Sequence, residues 1–145
     1  RLYLTNNNCH NFPCLKKLTN KLQSNLIYSK LSKLLKKDLS NSYVRLEIIS
    51  DKKGFWLKPH KDISEKLMTM MIWVNPYKES DNLGTDMYNN DFEIVKTVKY
   101  KHNSGYFFSS GNDTWHGLEK KEIRKERRCI QINYVSFKTD WPVIN

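Results

Sequence analysis

Leu67-Met68-Thr69-Met70-Met71-Ile72-Trp73-Val74 is the stretch on which the fold turns. Extended, it places Leu67, Thr69, Met71 and Trp73 on one side and Met68, Met70, Ile72 and Val74 on the other, because successive strand residues alternate. Neither side is polar, and a strand with two apolar faces needs cover on both. One cover is expected to be a helix and the other a barrel interior.

The helix is legible upstream. Between about residues 13 and 39, Leu15, Leu18, Leu22, Leu26, Leu31, Leu34, Leu35 and Leu39 recur at mostly three- to five-residue steps, with lysines in the gaps. This spacing predicts one or two amphipathic helices, with Pro13 tolerated in the first turn. A basic amphipathic helix also suits a membrane surface, but such a stripe more often covers a sheet. Residues 1–12 read as an irregular, Asn-rich lead-in.

After Ser40 the chain breaks into short β-rich runs: Tyr43–Ile49, Phe55–Leu57, Leu67–Val74, Glu93–Tyr100, Tyr106–Phe108 and Arg127–Phe137. Turn formers such as Asp51-Lys52-Lys53-Gly54 and Asn103-Ser104-Gly105 separate them. Many short strands after one helical segment predict a mainly β, α+β domain, a sandwich or barrel backed by helices. No repeat or linker divides it. The expectation is a single domain over residues 1–145, with a helical lead-in at about 13–39 and a β core at about 43–137.

At 145 residues the chain can bury one core. No run approaches the roughly 18 consecutive apolar residues of a membrane span, so no membrane partner is expected. The chain opens with Arg1 rather than methionine, which predicts that some native N-terminal residues are missing, and no signal peptide is visible. The 25 Lys and Arg exceed the 15 Asp and Glu by 10. Most of the excess is lysine spread along the whole chain, whereas nucleic-acid sites favour arginine for its planar fork. A nucleic-acid partner is therefore the minor option. Cys9, Cys14 and Cys129 cannot all pair and form no CxxC, which argues against a thiol redox site or a zinc knuckle and fits a reducing, cytoplasmic setting.

Chemistry concentrates in two places. In Pro59-His60-Lys61-Asp62, extended geometry turns His60 and Asp62 to one face and Lys61 to the other. An imidazole and a carboxylate on one face make two-thirds of a metal site, and His116 in Trp115-His116-Gly117 offers the third ligand. Two histidines and one carboxylate are the facial triad of non-haem Fe(II) oxygenases. The plainer alternative is a surface His60–Asp62 pair and a hydrogen-bonded core His116. The second place is Arg127-Arg128-Cys129-Ile130-Gln131-Ile132-Asn133-Tyr134-Val135. An arginine inside a buried strand needs an anion, and a dicarboxylate would be one. Alternatively both arginines lie in a solvated hairpin turn, paired with Glu119, Glu122 or Glu126. Parity puts Arg127 with Cys129, Gln131 and Asn133, and Arg128 with Ile130, Ile132 and Tyr134. Arg127 is therefore the favoured inward arginine, before Arg128 and then Arg124.

Taken in order, Pro59-His60-x-Asp62, Lys66-Leu67-x-Thr69, Ile72-Trp73-Val74-Asn75, Gly84-Thr85, Phe108, Trp115-His116-Gly117 and Arg127-Arg128-x-Ile130-x-Ile132-Asn133-Tyr134 resemble the Fe(II)/2-oxoglutarate-dependent dioxygenases. Within them the pattern is most similar to small prolyl-hydroxylase-like bacterial and phage members, over roughly residues 43–137. The resemblance implies a double-stranded β-helix, a jelly-roll or cupin-like barrel buttressed by helices. It implies that His60, Asp62 and His116 ligate Fe(II) and that Arg127 binds the distal carboxylate of 2-oxoglutarate. Trp73 stands where related hydroxylases often place a tyrosine on the same carboxylate, and an indole N–H can also donate. Cys129 stands where some members have a serine.

The implied activity couples decarboxylation of 2-oxoglutarate to succinate and CO2 with hydroxylation by O2, with ascorbate as an accessory. Peptidyl proline or a small molecule leads the substrate classes, and residues 76–92, with Tyr77 and Tyr88, are the expected variable lid. Two other readings compete. One is a cupin-like metal enzyme that does not use 2-oxoglutarate; the other is a non-enzymatic basic module for nucleic acid or another polyanion.

Overall fold

The computed structural model describes residues 1–142; residues 143–145, the end of the expected domain, lie outside it. In chain order the elements are β1 (Leu2–Tyr3), α1 (Pro13–Leu22), α2 (Asn25–Leu35), β2 (Tyr43–Asp51), β3 (Leu57–His60), β4 (Lys66–Val74), β5 (Asp86–Tyr88), β6 (Ile94–Thr97), β7 (Gly105–Phe108), β8 (His116–Leu118), β9 (Arg127–Val135) and β10 (Trp141–Pro142). Short 3-10 turns at Cys9–Asn11 and Asp81–Leu83 complete the list.

The leucine stripe forms two helices, the second of the two arrangements expected. Pro13 opens α1 because its fixed φ suits the first turn. A break at Gln23-Ser24 then resets the helical phase. From there α2 turns Ile27, Leu31 and Leu35 inward, a four-residue step on one face. Leu26 and Leu34, which the stripe counted as inward, are instead 64% and 69% exposed. Lys36, in the left-handed region at φ 50°, ends α2 as Lys37 N–H donates to the Ser32 carbonyl at 3.1 Å.

The strands form two antiparallel sheets. The larger runs β1-β2-β9-β4-β7, with β10 also on β2; the smaller runs β3-β8-β5-β6. β2 lies along β9 from Tyr43↔Val135 to Asp51↔Arg127, and β9 lies along β4. The two-sided cover expected for residues 67–74 is present. Met68, Met70 and Ile72 join Val44, Leu46, Ile132 and Tyr134 in the core beneath α1 and α2, and the Tyr134 hydroxyl donates to the Leu22 carbonyl. Thr69, Met71 and Trp73 face the smaller sheet across a second cluster and a cavity. Hydrogen bonding does not run from one sheet into the other, so among the described residues the strands form no closed barrel. No helix among them is long and apolar enough to cross a membrane.

Several boundaries moved. The lead-in contributes β1, paired with Glu47 and Ile48. Phe55 sits in the turn after Gly54 (φ +84°), and the strand starts only at Leu57. Of the expected lid, Leu83 and Asp86 are fully buried, and β5 lies inside the smaller sheet.

At Gly105 the sheet leaves no room for a side chain. Gly105 pairs with Ile72, and a Cβ there would fall 1.9 Å from the Met71 carbonyl oxygen, with backbone on every near side. Gly105→Ala is therefore expected to destabilise the protein by about 1–3 kcal/mol, since an overpacked backbone contact cannot relax as a side chain would. Urea denaturation reads this directly, and an unchanged midpoint would mean that β7 does not pair this closely.

Candidate metal centre and its cavity

His60 ends β3 and His116 opens β8, and the two residues are direct partners across that strand pair. Their ring centroids lie 4.4 Å apart at 49°. Asp62 follows β3 by two residues, as alternation requires for the same face. One ligand atom from each of His60, Asp62 and His116 fits within 4.8 Å of the others.

The hydrogen bonds fix which atoms face one another. Nδ1 of His60 lies 2.9 Å from the Lys58 carbonyl oxygen, and Nδ1 of His116 lies 2.9 Å from that of Thr114. A carbonyl only accepts, so Nδ1 of each ring carries a proton, and Nε2 of each ring is left without a hydrogen bond and is the atom available to a metal. Burial lowers the pKa of His116, against the opposing hydrogen bond to Thr114, and this favours the neutral, ligating ring. Asp62 accepts from Lys66 Nζ at 2.5 Å and from the Thr69 hydroxyl at 2.7 Å. Burial pushes its carboxyl up, but those two hydrogen bonds and the lysine charge outweigh burial, and its pKa lies below the usual value. Two imidazoles with Nε2 available and a held carboxylate fit a divalent cation of the Fe(II) type.

The triad borders a cavity of about 220 Å³ between the sheets, also walled by Met71, Tyr106, Leu118 and Cys129. Arg127, only 5% exposed, lines the same cavity. Its Nε donates to the Leu83 carbonyl at 2.5 Å, and Nη1 donates to Asp51, its cross-strand partner on β2. Among the described residues, Nη2 makes no hydrogen bond. Burial raises the pKa of Asp51 although Arg127 pulls it down.

The arginines separate as parity requires. Arg128 points outward to Glu126 at 2.7 Å and to the Tyr77 hydroxyl at 2.9 Å. Arg124, also exposed, donates to the Lys78 carbonyl at 2.7 Å. Arg127 alone of the three lines the cavity. Glu126 thus pairs with Arg128, as the hairpin alternative had it, while Arg127 is held by Asp51. Trp73 does not reach the cavity wall. It is fully buried beneath Arg127, with the guanidinium carbon 4.8 Å from its ring centroid and no partner for Nε1. Tyr106 is the aromatic that does line the cavity. Its hydroxyl donates to Thr85 at 2.7 Å, and burial raises its pKa to about 12.

Sequence reasoning assigned no role to Lys66, Thr69, Asp51 or Tyr106. Only Lys66 carried a local signal, as a cation four residues after Asp62.

No protein-family model and no curated protein matches the chain. Among solved structures, the fold is similar to the crystal structure of a Pseudomonas putida prolyl-4-hydroxylase, with a TM-score of 0.53 and 14% sequence identity. The likeness covers 66% of this chain and 52% of that one, so the chain spans about half the length of that protein. At this identity the likeness is one of fold.

Proposed function

We propose that this chain is a non-haem Fe(II)- and 2-oxoglutarate-dependent oxygenase that hydroxylates its substrate. The observation that carries the reading is the convergence of His60, Asp62 and His116 within 4.8 Å, with Nδ1 of each histidine on a backbone carbonyl and Nε2 of each left without a hydrogen bond. Nested strand pairing supports a double-stranded β-helix as the scaffold. β2 pairs with β9, β3 with β8, β4 with β7 and β5 with β6, first with last, as in an eight-stranded jelly roll.

When bound, Fe(II) with 2-oxoglutarate and dioxygen supplies the oxidising chemistry. The protein supplies placement. His60 and His116 would present Nε2 from rings oriented by backbone carbonyls, while Lys66 and Thr69 keep the Asp62 carboxylate ionised and oriented. Arg127 would offer Nη2 to the distal carboxylate of the cosubstrate, and the apolar wall of Met71, Tyr106 and Leu118 would limit water in the cavity. A peptidyl proline leads the substrate classes, on the sequence resemblance and on the name of the structural neighbour. A small molecule follows, and nucleic acid is the minor option. Ascorbate would serve only to keep the iron reduced, and a cytoplasmic setting would favour the same state.

Anaerobic protein loaded with Fe(II) and then given 2-oxoglutarate is expected to develop the weak visible charge-transfer band of the chelate. Arg127→Lys keeps a cation beside Asp51 but removes the planar fork. It should raise the 2-oxoglutarate requirement by roughly 10- to 100-fold, the worth of a charge-assisted hydrogen bond, whereas Arg128→Ala should leave it unchanged. Absence of bound iron would overturn the proposal.

One observation favours a second reading, a cupin-like metal enzyme without 2-oxoglutarate: Arg127 already has a carboxylate partner in Asp51. Bound iron with no band at any 2-oxoglutarate concentration would select it.

A further inference from the structure

The cations around the cavity are already paired. Lys66 is held by Asp62 and Arg127 by Asp51, while Arg1 reaches Glu47 at 3.3 Å. An incoming dicarboxylate therefore meets no lone cation at the arginine end. It can use Nη2 of Arg127, but there it sits beside the Asp51 carboxylate, which lines the same cavity and is 6% exposed. Two carboxylates sharing one guanidinium in a buried site repel each other, because little water screens them. A 2-oxo acid without a distal carboxylate makes the same approach to the triad and meets no such repulsion.

We propose that Asp51 is a specificity-determining residue that ties up the Arg127 guanidinium and biases the cavity against 2-oxo dicarboxylates relative to 2-oxo monocarboxylates. The inference rests on the reading of this cavity as a 2-oxo acid site and names the group that tunes it. Asp51 acts through Arg127, across the β2–β9 pair, and needs no contact with the triad. A buried ion pair there has little net stability to recommend it, whereas it sets the charge that an incoming acid meets.

The test is calorimetric titration of the full chain, loaded with Mn(II) so that no turnover occurs, with 2-oxoglutarate and separately with 2-oxobutanoate. Asp51→Asn keeps an oxygen for Arg127 to donate to and removes the charge. It is expected to tighten 2-oxoglutarate by about tenfold or more while leaving 2-oxobutanoate unchanged, and Asp51→Glu should keep the parent's preference. A structural role alone would shift both acids together, and that result overturns the proposal, as does an unchanged or weakened 2-oxoglutarate. If Mn(II) binds but neither acid binds the parent or the variants, the 2-oxo acid reading itself fails, and the inference fails with it.

Discussion

On the proposed function, His116→Ala is expected to lose both the rise in unfolding temperature that Fe(II) or Mn(II) would give the parent protein and its iron-dependent turnover. A ligand that binds only the folded state stabilises it by RT ln(1 + [L]/Kd), about 2.7 kcal/mol at a hundredfold excess over Kd. The shift therefore reports metal affinity without any knowledge of the substrate. Loss of a supporting hydrogen bond around a metal ligand already weakens binding roughly 10- to 100-fold, and loss of one ligand of three costs more. His116 is the cleanest position for the experiment. Its ring packs against His60 and, at 5.1 Å between centroids, against Phe108, and its polar partner is the Thr114 carbonyl in its own chain segment. Asp62→Ala should lose the shift as well, but it also strands the ammonium of Lys66, whose side chain is only 17% exposed. His10→Ala removes an exposed imidazole outside the triad and should keep the full shift. A metal-dependent shift that survives in His116→Ala would take that residue out of the site.

The parts of this architecture that were legible in the sequence are those written locally. The two-faced run at residues 67–74 told that β4 is covered on both sides, and period-two alternation put His60 with Asp62 and separated Arg127 from Arg128. β5 and β8, with three residues each, are too short for alternation to register, although both lie inside the smaller sheet and one begins with His116. The leucine stripe misassigned Leu26 and Leu34 because a periodicity read through Gln23-Ser24 assumes one continuous helix. The Asp51–Arg127 pair depends on the register of two strands far apart in the chain. Nothing at either residue announces the other, so the most consequential contact in the cavity was the least readable.

Trp73→Ala should cost about 3–5 kcal/mol, as large aromatic truncations in a packed core do, whereas Trp73→Phe should cost distinctly less. The ring is fully buried on β4 and meets Tyr100 edge-on at 5.5 Å and Tyr106 at 5.9 Å. Removing it leaves a void that β-sheet backbone on either side cannot close, and it takes away the aromatic face under the Arg127 guanidinium. Phenylalanine restores most of the volume and a ring face. What it lacks is the indole N–H, which has no partner in this structure, so little hydrogen-bond energy is lost with it. Denaturant unfolding of the metal-free protein measures both variants. The same pair also tests the proposed cosubstrate site: if Trp73 only supports Arg127 from below, Trp73→Phe keeps the 2-oxoglutarate affinity that the proposal expects of the parent. A tenfold or greater loss in that variant, with stability preserved, would add the indole N–H to the groups proposed to hold a cosubstrate carboxylate.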